Sequence, residues 1–155
     1  KFKLVLKDLN LKINQKFISA NIKAYCTLDL MGNFEALGID IKAAISKDKL
    51  KSCTALSGGQ ISMISISLIL SLQEIKPSPL CMFDEAGMFL DEKNSEASYQ
   101  MIKTTIESNA IQMLMFLPKS SNPLYLLADK LIGVARVGKS EVSTIFNPKI
   151  VKESK

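Results

Sequence analysis

Two short motifs 27 positions apart, Ser57-Gly58-Gly59-Gln60 and Asp84-Glu85, limit this chain more than any other feature of it. A serine at a helix start is a good cap, because its hydroxyl accepts from an otherwise orphaned backbone N–H. Two glycines behind it leave the backbone bare, so an anion can approach closely. A helix beginning there aims free N–H groups and a positive dipole end outward, which makes a phosphate-facing surface. Leu80 to Phe83 is a short apolar run bounded by Pro79 and by charge, the pattern of a buried strand. Asp84 and Glu85 then sit at its carboxyl end, the edge at which open α/β sheets bind ligands. Of two adjacent carboxylates there, one suits Mg²⁺, which prefers oxygen ligands and keeps several waters. The other suits polarisation of an attacking water in phosphoryl transfer. A plain glycine turn or a solvated acidic turn produces either motif alone; the two in this order leave those readings little room.

Leu56 to Gln60, the apolar strand and Asp84-Glu85 resemble the signature and Walker B motifs of the ABC-type ATPases. The fuller run is more specific. Ser67-Leu68-Ile69-Leu70-Ser71, Lys76-Pro77-Ser78-Pro79-Leu80, Phe83-Asp84-Glu85 and Leu90-Asp91 are similar to the C-terminal head half of the SMC chromosome-organising ATPases. Gln60 and the Ser-Leu-Ile-Leu-Ser stretch look most like the condensin subunit of the second type, with the cohesin subunit of the third type as close rival. The resemblance is strong over 38–109 and looser over 13–37 and 111–146.

This resemblance implies an α/β fold: an ABC-type ATPase (P-loop NTPase) head, C-terminal half, with signature helix and Walker B strand. An N-terminal half outside this chain would complete it and supply Walker A; no loop of the form G-x-x-x-x-G-K-[ST] is expected within the chain. Residues 1–30 would be the coiled-coil exit and connecting helix, 38–146 the core lobe and 147–155 a tail. ATP and Mg²⁺ are the implied cofactors, with Asp84 on the metal and Glu85 as catalytic carboxylate on the ATP of their own head. Ser57, Gly58, Gly59 and Gln60 would bind nucleotide held on an opposite head, and Asp91 would match the D-loop aspartate that reaches across the dimer. The implied partners are the N-terminal head half, a second SMC head, a kleisin and other non-SMC subunits, and DNA, in a nuclear or nucleoid setting. A non-hydrolysing structural module is the alternative. Two positions depart from the family pattern: Gly87 replaces an acid, and Pro118, followed by Lys119, stands at the switch position where many ABC proteins have His.

Composition narrows the chemistry further. The chain has no His, which excludes His-based catalytic and metal schemes within it. Cys26, Cys53 and Cys81 are odd in number and show no metal or disulfide spacing, so a reducing compartment is expected. A length of 155 residues with 47% apolar content fits one globular domain, and a net charge of +5 permits contact with nucleic acid without demonstrating it. Ile61 to Leu72 is too short and too serine-interrupted to span a membrane, and the start lacks a signal-peptide core. Lacking an initiator Met, the chain reads as a piece of a longer one.

Periodicity gives the remaining elements. Leu9, Ile13, Phe17, Ile18, Ile22 and Tyr25 predict an amphipathic helix from Leu9 to about Cys26, with Lys7, Lys12, Lys16 and Lys23 on a solvated face. Met31-Gly32-Asn33 reads as a turn, Gly38 to Ile45 as a half-buried strand, and 46–55 as loop. The signature helix should run from Gly58 to about Glu74, apolar nearly all round, with one stripe at Ile61, Ile64, Leu68, Leu72 and Ile75. Asn94 to Ser108 reads as a helix with Ala97, Met101, Ile102, Thr105 and Ile106 inward, and Ile111 to Phe116 as a second buried strand. Pro123 to Asp129 suggests a short helix, and 131–137 with 141–146 a hairpin about Gly138-Lys139.

Overall fold

A computed structural model describes residues 2–32, 37–45, 49–85, 90–109, 111–117, 123–136, 138 and 142–148. The chain divides into two compact units, 1–120 and 121–155. Expectations about Gly87 and its loop, Pro118, Lys119 and the residues after Pro148 lie outside the described residues.

The first unit opens with helix α1, Phe2–Ser19. Leu6, Leu9, Ile13 and Phe17 recur at three- and four-residue spacing, so they share one face and are buried. The helix stops well short of Cys26. Asn21 takes a left-handed φ of 54°, the N–H of Ile22 donates to the Phe17 carbonyl at 2.8 Å, and that of Asn21 to Ile18 at 3.0 Å. This is the Schellman arrangement, and Asn tolerates its left-handed position. Ile22 and Tyr25 prolong the helical spacing only by coincidence. Tyr25 belongs to strand β1, Ala24–Met31, an element the periodicity did not reveal.

β1 pairs antiparallel with β2, Gly38–Ile45, from Ala24↔Ile45 to Met31↔Gly38, and β2 pairs with the two-residue strand β3, Lys51–Ser52. Gly32, just after β1, has a φ of 85°, as the expected turn requires. The free edge of β1 is met by side chains of α1 instead of another strand. Asn10 Nδ2 donates to the Leu28 carbonyl at 3.0 Å, and its Oδ1 accepts from the Leu28 N–H at 2.7 Å. Asn14 repeats the pattern on Cys26, at 2.8 and 2.9 Å. One helical turn apart on α1, the two amides match alternate residues of the strand, so each satisfies a main-chain donor and acceptor that would otherwise be left open.

A short 3-10 turn, Cys53–Ala55, leads into α2, Gly58–Ile75. Its buried residues are Met63, Ile64, Ile66, Ser67, Leu70 and Ser71; of the predicted stripe Ile64 is buried, Ile61, Leu68 and Ile75 are half-buried, and Leu72 is 44% exposed. An all-round apolar sequence does not say which side meets the core, and the small serines settle it here. Ser67 and Ser71 are fully buried, their hydroxyls donating to the Ile64 and Ser67 carbonyls, which lets neighbouring elements approach closely. α2 packs against α1 and against α3, Glu92–Ser108, which buries Ala97, Ser98, Met101, Ile102 and Thr105. Ile106 is only half-buried.

Lys16 overturns the solvated-face expectation. It is 7% exposed, and its ammonium contacts Glu74 on α2 and Thr105 Oγ1 on α3. Its position beside Phe17 on the inward face of α1 puts it among the core residues rather than with Lys7 and Lys23.

Strands β4, Leu80–Asp84, and β5, Gln112–Phe116, flank α3 in sequence and pair in parallel, Leu80↔Gln112 through Asp84↔Phe116. Neither is buried on both faces. Cys81 and Phe83 point inward, while Leu80, Met82, Leu114 and Phe116 are exposed.

The second unit holds a 3-10 turn, Pro123–Leu127, and a hairpin of β6, Gly133–Arg136, with β7, Ser143–Phe146. Here one expectation needs correction at the level of the letters. Gly133-Val134-Ala135-Arg136-Val137-Gly138-Lys139-Ser140 does fit G-x-x-x-x-G-K-[ST]. A phosphate loop needs a strand before the first glycine and a helix after the serine. Instead, Gly133 to Arg136 is itself a strand, hydrogen-bonded to Phe146 through Ser143. The Phe146 ring lies over Gly133 so closely that a side chain there would have to push the ring aside. Through Arg136, the main chain of this run is engaged in the ladder rather than free to cradle phosphate. The match is a hairpin, with Gly138 at its turn and a φ of 63°.

Candidate functional site

The first site element is the start of α2. Ser57 is extended (φ −70°, ψ 158°), the conformation of a helix N-cap. Its Oγ accepts from the Gln60 N–H at 3.3 Å, while Gln60 Oε1 accepts from the Ser57 N–H at 3.0 Å. This reciprocal capping box fixes the entry to the helix. It gives Gln60 a structural task that the sequence reading had not assigned, although Gln three residues after a capping Ser is its signature. The N–H groups of Gly58 and Gly59 precede that of Ile61, the first to donate to a carbonyl of the helix, Ser57 O at 2.9 Å. Ser57 and Gly58 are exposed and Gly59 half-buried, so the turn faces outward with its dipole end bare.

The second element is the carboxyl end of β4. Asp84, its last residue, pairs with Phe116 and is exposed. Glu85 follows with a left-handed φ of 50°, and its N–H donates to the Phe116 carbonyl at 3.0 Å. The ladder thus continues one bond past the strand while the chain turns sharply. A non-glycine residue held there stores roughly 1–3 kcal/mol of backbone strain, a feature that concentrates at functional positions. Both carboxylates therefore lie at one exposed strand end. They suit a divalent ion that takes one or two protein oxygens and completes its shell with water and phosphate. Among the described residues no group of three or more His, Cys, Asp or Glu forms a dedicated metal cage.

Asp91 caps α3. Its Oδ1 accepts from the Asn94 N–H at 2.8 Å and its Oδ2 from Asn94 Nδ2 at 3.1 Å, and it stays exposed. No hydrogen bond or ion pair among the described residues joins Ser57 and Gln60 to Asp84 or Glu85. The structure brings together the members of each motif, not the two motifs.

The cysteines offer no competing chemistry. Burial, with Cys53 as a smaller contributor, pushes the Cys26 thiol from its ordinary 9.0 to about 11, and burial also raises Cys81. Both stay protonated at neutral pH and make poor nucleophiles.

Residues 4–143 match the protein family described as RecF/RecN/SMC N terminal domain. The chain is 32% identical over 142 residues to the chromosome partition protein Smc of Aquifex aeolicus, covering 89% of this chain and 12% of that protein. It is 32% identical over 120 residues to structural maintenance of chromosomes protein 2 of Homo sapiens, covering 76% of this chain and 10% of that one. The chain thus spans about a tenth of the length of these relatives. Among solved structures, it resembles a chain described under ATP-driven dimerization and DNA stimulated activation of SMC ATPases, with a TM-score of 0.77 at 22% identity over 96% of this chain and 88% of that one. It also resembles an SmcHead bound to the C-winged helix domain of ScpA, with a TM-score of 0.78 at 23% identity over 96% of this chain and 44% of that one. With the fold of the SMC head and a family match over nearly its whole length, the chain belongs to the RecF/RecN/SMC N terminal domain family.

Proposed function

We propose that this chain is the C-terminal half of an SMC ATPase head, which acts in chromosome organisation once an N-terminal half adds the Walker A loop. The carrying observation is the β4–β5 sheet. Parallel sheets are normally covered on both faces. Among the described residues this one has two strands, and it exposes Leu80, Met82, Leu114 and Phe116 on one face, beside Asp84 and Glu85. Further strands would extend the sheet at its edges, and a phosphate loop would lie at the strand end that carries the carboxylates. Nearly the whole chain corresponds to 44% of an SmcHead chain, which leaves room in that head for a second half, and to 88% of the chain from the SMC ATPase structure.

In the completed head, Asp84 would hold Mg²⁺, which would supply charge neutralisation at the phosphates of ATP, and Glu85 would orient the water that attacks the γ-phosphate on the same head, with ADP as the leaving group. The bare N–H groups of Gly58 and Gly59, with Ser57, close on the γ-phosphate of ATP held by an opposite head. Gln60 acts by holding Ser57 in its capping box, and Asp91 meets the opposite head from the start of α3. A second SMC head, a kleisin and DNA are the corresponding partners, since ScpA, ATP-driven dimerization and DNA stimulation are named for the similar solved structures. Among SMC proteins we favour the condensin subunit of the second type.

The test is co-expression with the Walker A half of the same protein. A stable complex that dimerises with ATP is expected. Steady ATP turnover by this chain alone, or failure to bind that half, would contradict the reading.

A further inference from the structure

Lys16 is the one buried charged side chain among the described residues. Three helices meet at its ammonium. It lies on α1, pairs with Glu74 Oε1 on α2, and donates to Thr105 Oγ1 on α3 at 2.8 Å. The second Glu74 oxygen takes Lys12 Nζ, also from α1, at 3.4 Å. The Thr105 hydroxyl donates to the Met101 carbonyl at 2.8 Å, which leaves its oxygen free to accept from Lys16.

Such a pair adds little net stability, since an apolar residue of similar size often packs as well or better. What it supplies is direction. Apolar contacts around Ile13 and Phe17 tolerate small slides, whereas an ammonium with acceptors on two helices fits one register. α1 is itself held in place, because Asn10 and Asn14 are hydrogen-bonded to β1. Glu74 lies at the far end of α2 from Ser57, about 26 Å along the axis at 1.5 Å per residue. A single unbroken helix carries a tilt at one end to the other.

Resting on the ATPase reading above, we propose that Lys16 is a positioning residue: through Glu74 it sets the tilt and register of α2 against α1, and so the placement of the Ser57 turn against the partner head's phosphate. It makes the signature surface of a head responsive to the orientation of α1. It touches no nucleotide.

The proposal predicts an effect on the opposite head's ATP and none on the head's own. Full-length subunits are paired so that one head carries Glu85→Gln, leaving only its partner's ATP to turn over; that ATP is faced by the α2 of the Glu85→Gln head. Lys16→Met is then placed either in the Glu85→Gln head or in its partner. Turnover should fall roughly tenfold in the first arrangement, the scale of coupling through a packed element. It should change less than about twofold in the second. Lys16→Arg, which keeps the charge and the donors, should restore most of the loss. Glu74→Gln, a milder change for the case in which Lys16→Met impairs folding, should show the same one-sided pattern. Equal loss in both arrangements would make Lys16 a structural residue only, and no loss in either would overturn the proposal outright. Wild-type pairs without turnover, or turnover indifferent to Glu85→Gln, would instead count against the ATPase reading beneath it.

Discussion

Glu85 and Cys26 show how single residues carry opposing demands. Glu85 sits at φ 50° because its N–H is tied to Phe116 while the chain leaves β4. Glycine takes that conformation without a Cβ clash. Glu85→Gly should therefore raise stability by about 0.5–1 kcal/mol while removing the carboxylate. Urea unfolding reads this directly, and a lower midpoint would mean that the side chain, not the backbone, dominates there. Cys26 gives a pH signature. The folded chain keeps this thiol protonated to about pH 11, whereas unfolding returns it to about 9. The unfolded state loses its proton first, so stability is unaffected below pH 9 and falls as pH rises from 9 toward 11. The loss approaches about 2–3 kcal/mol at the upper end. Thermal melts across that range should show the fall, and Cys26→Ala should flatten it; an equal slope in both proteins would remove Cys26 as the cause.

At the scale of elements, what could be read ahead was what local chemistry decides. The Ser57 cap, the reach of α2, the Asp84–Glu85 strand end and the 133–146 hairpin all follow from capping residues, strand length and turn glycines. What could not be read ahead depends on partners distant in sequence. The two Asn amides that close the edge of β1 are polar letters on a helix until the strand is in place. Lys16 looks like any surface lysine until Glu74, 58 residues away, is beside it. The buried face of α2 is legible only in part: Ile64 of the expected stripe is buried, but Leu72 is as apolar as Met63 and Leu70, and only tertiary contact separates them. α2 also supplies a direct test of the signature surface. Ser57→Ala should cost about 1 kcal/mol through the lost cap while leaving a bare turn. Ser57→Arg should cost a similar amount and in addition fill the phosphate-facing space. Size-exclusion analysis of completed heads with ATP should show dimers for the first variant and none for the second. Dimers in both would move the contact elsewhere.

At the scale of the whole molecule, the account turns on incompleteness. The sequence contains the letters of a phosphate loop at 133–140, but Gly133 to Arg136 are paired as a strand with Ser143 to Phe146. The carboxylates at the end of β4 thus lack a phosphate cradle within the described residues, and Leu80, Met82, Leu114 and Phe116 beside them are exposed. The most direct measurement compares wild type, Glu85→Gln and Asp84→Asn in heads completed by the Walker A half, following ATP turnover and ATP-dependent dimerisation together. Glu85→Gln should bind ATP and Mg²⁺, turn over roughly a hundredfold or more slowly, as for loss of a positioned base, and accumulate as dimers. Asp84→Asn should lose Mg²⁺-dependent binding and fail to accumulate dimers. Turnover in Glu85→Gln equal to wild type would remove Glu85 from the chemistry and contradict the reading of this chain as half of a hydrolysing head.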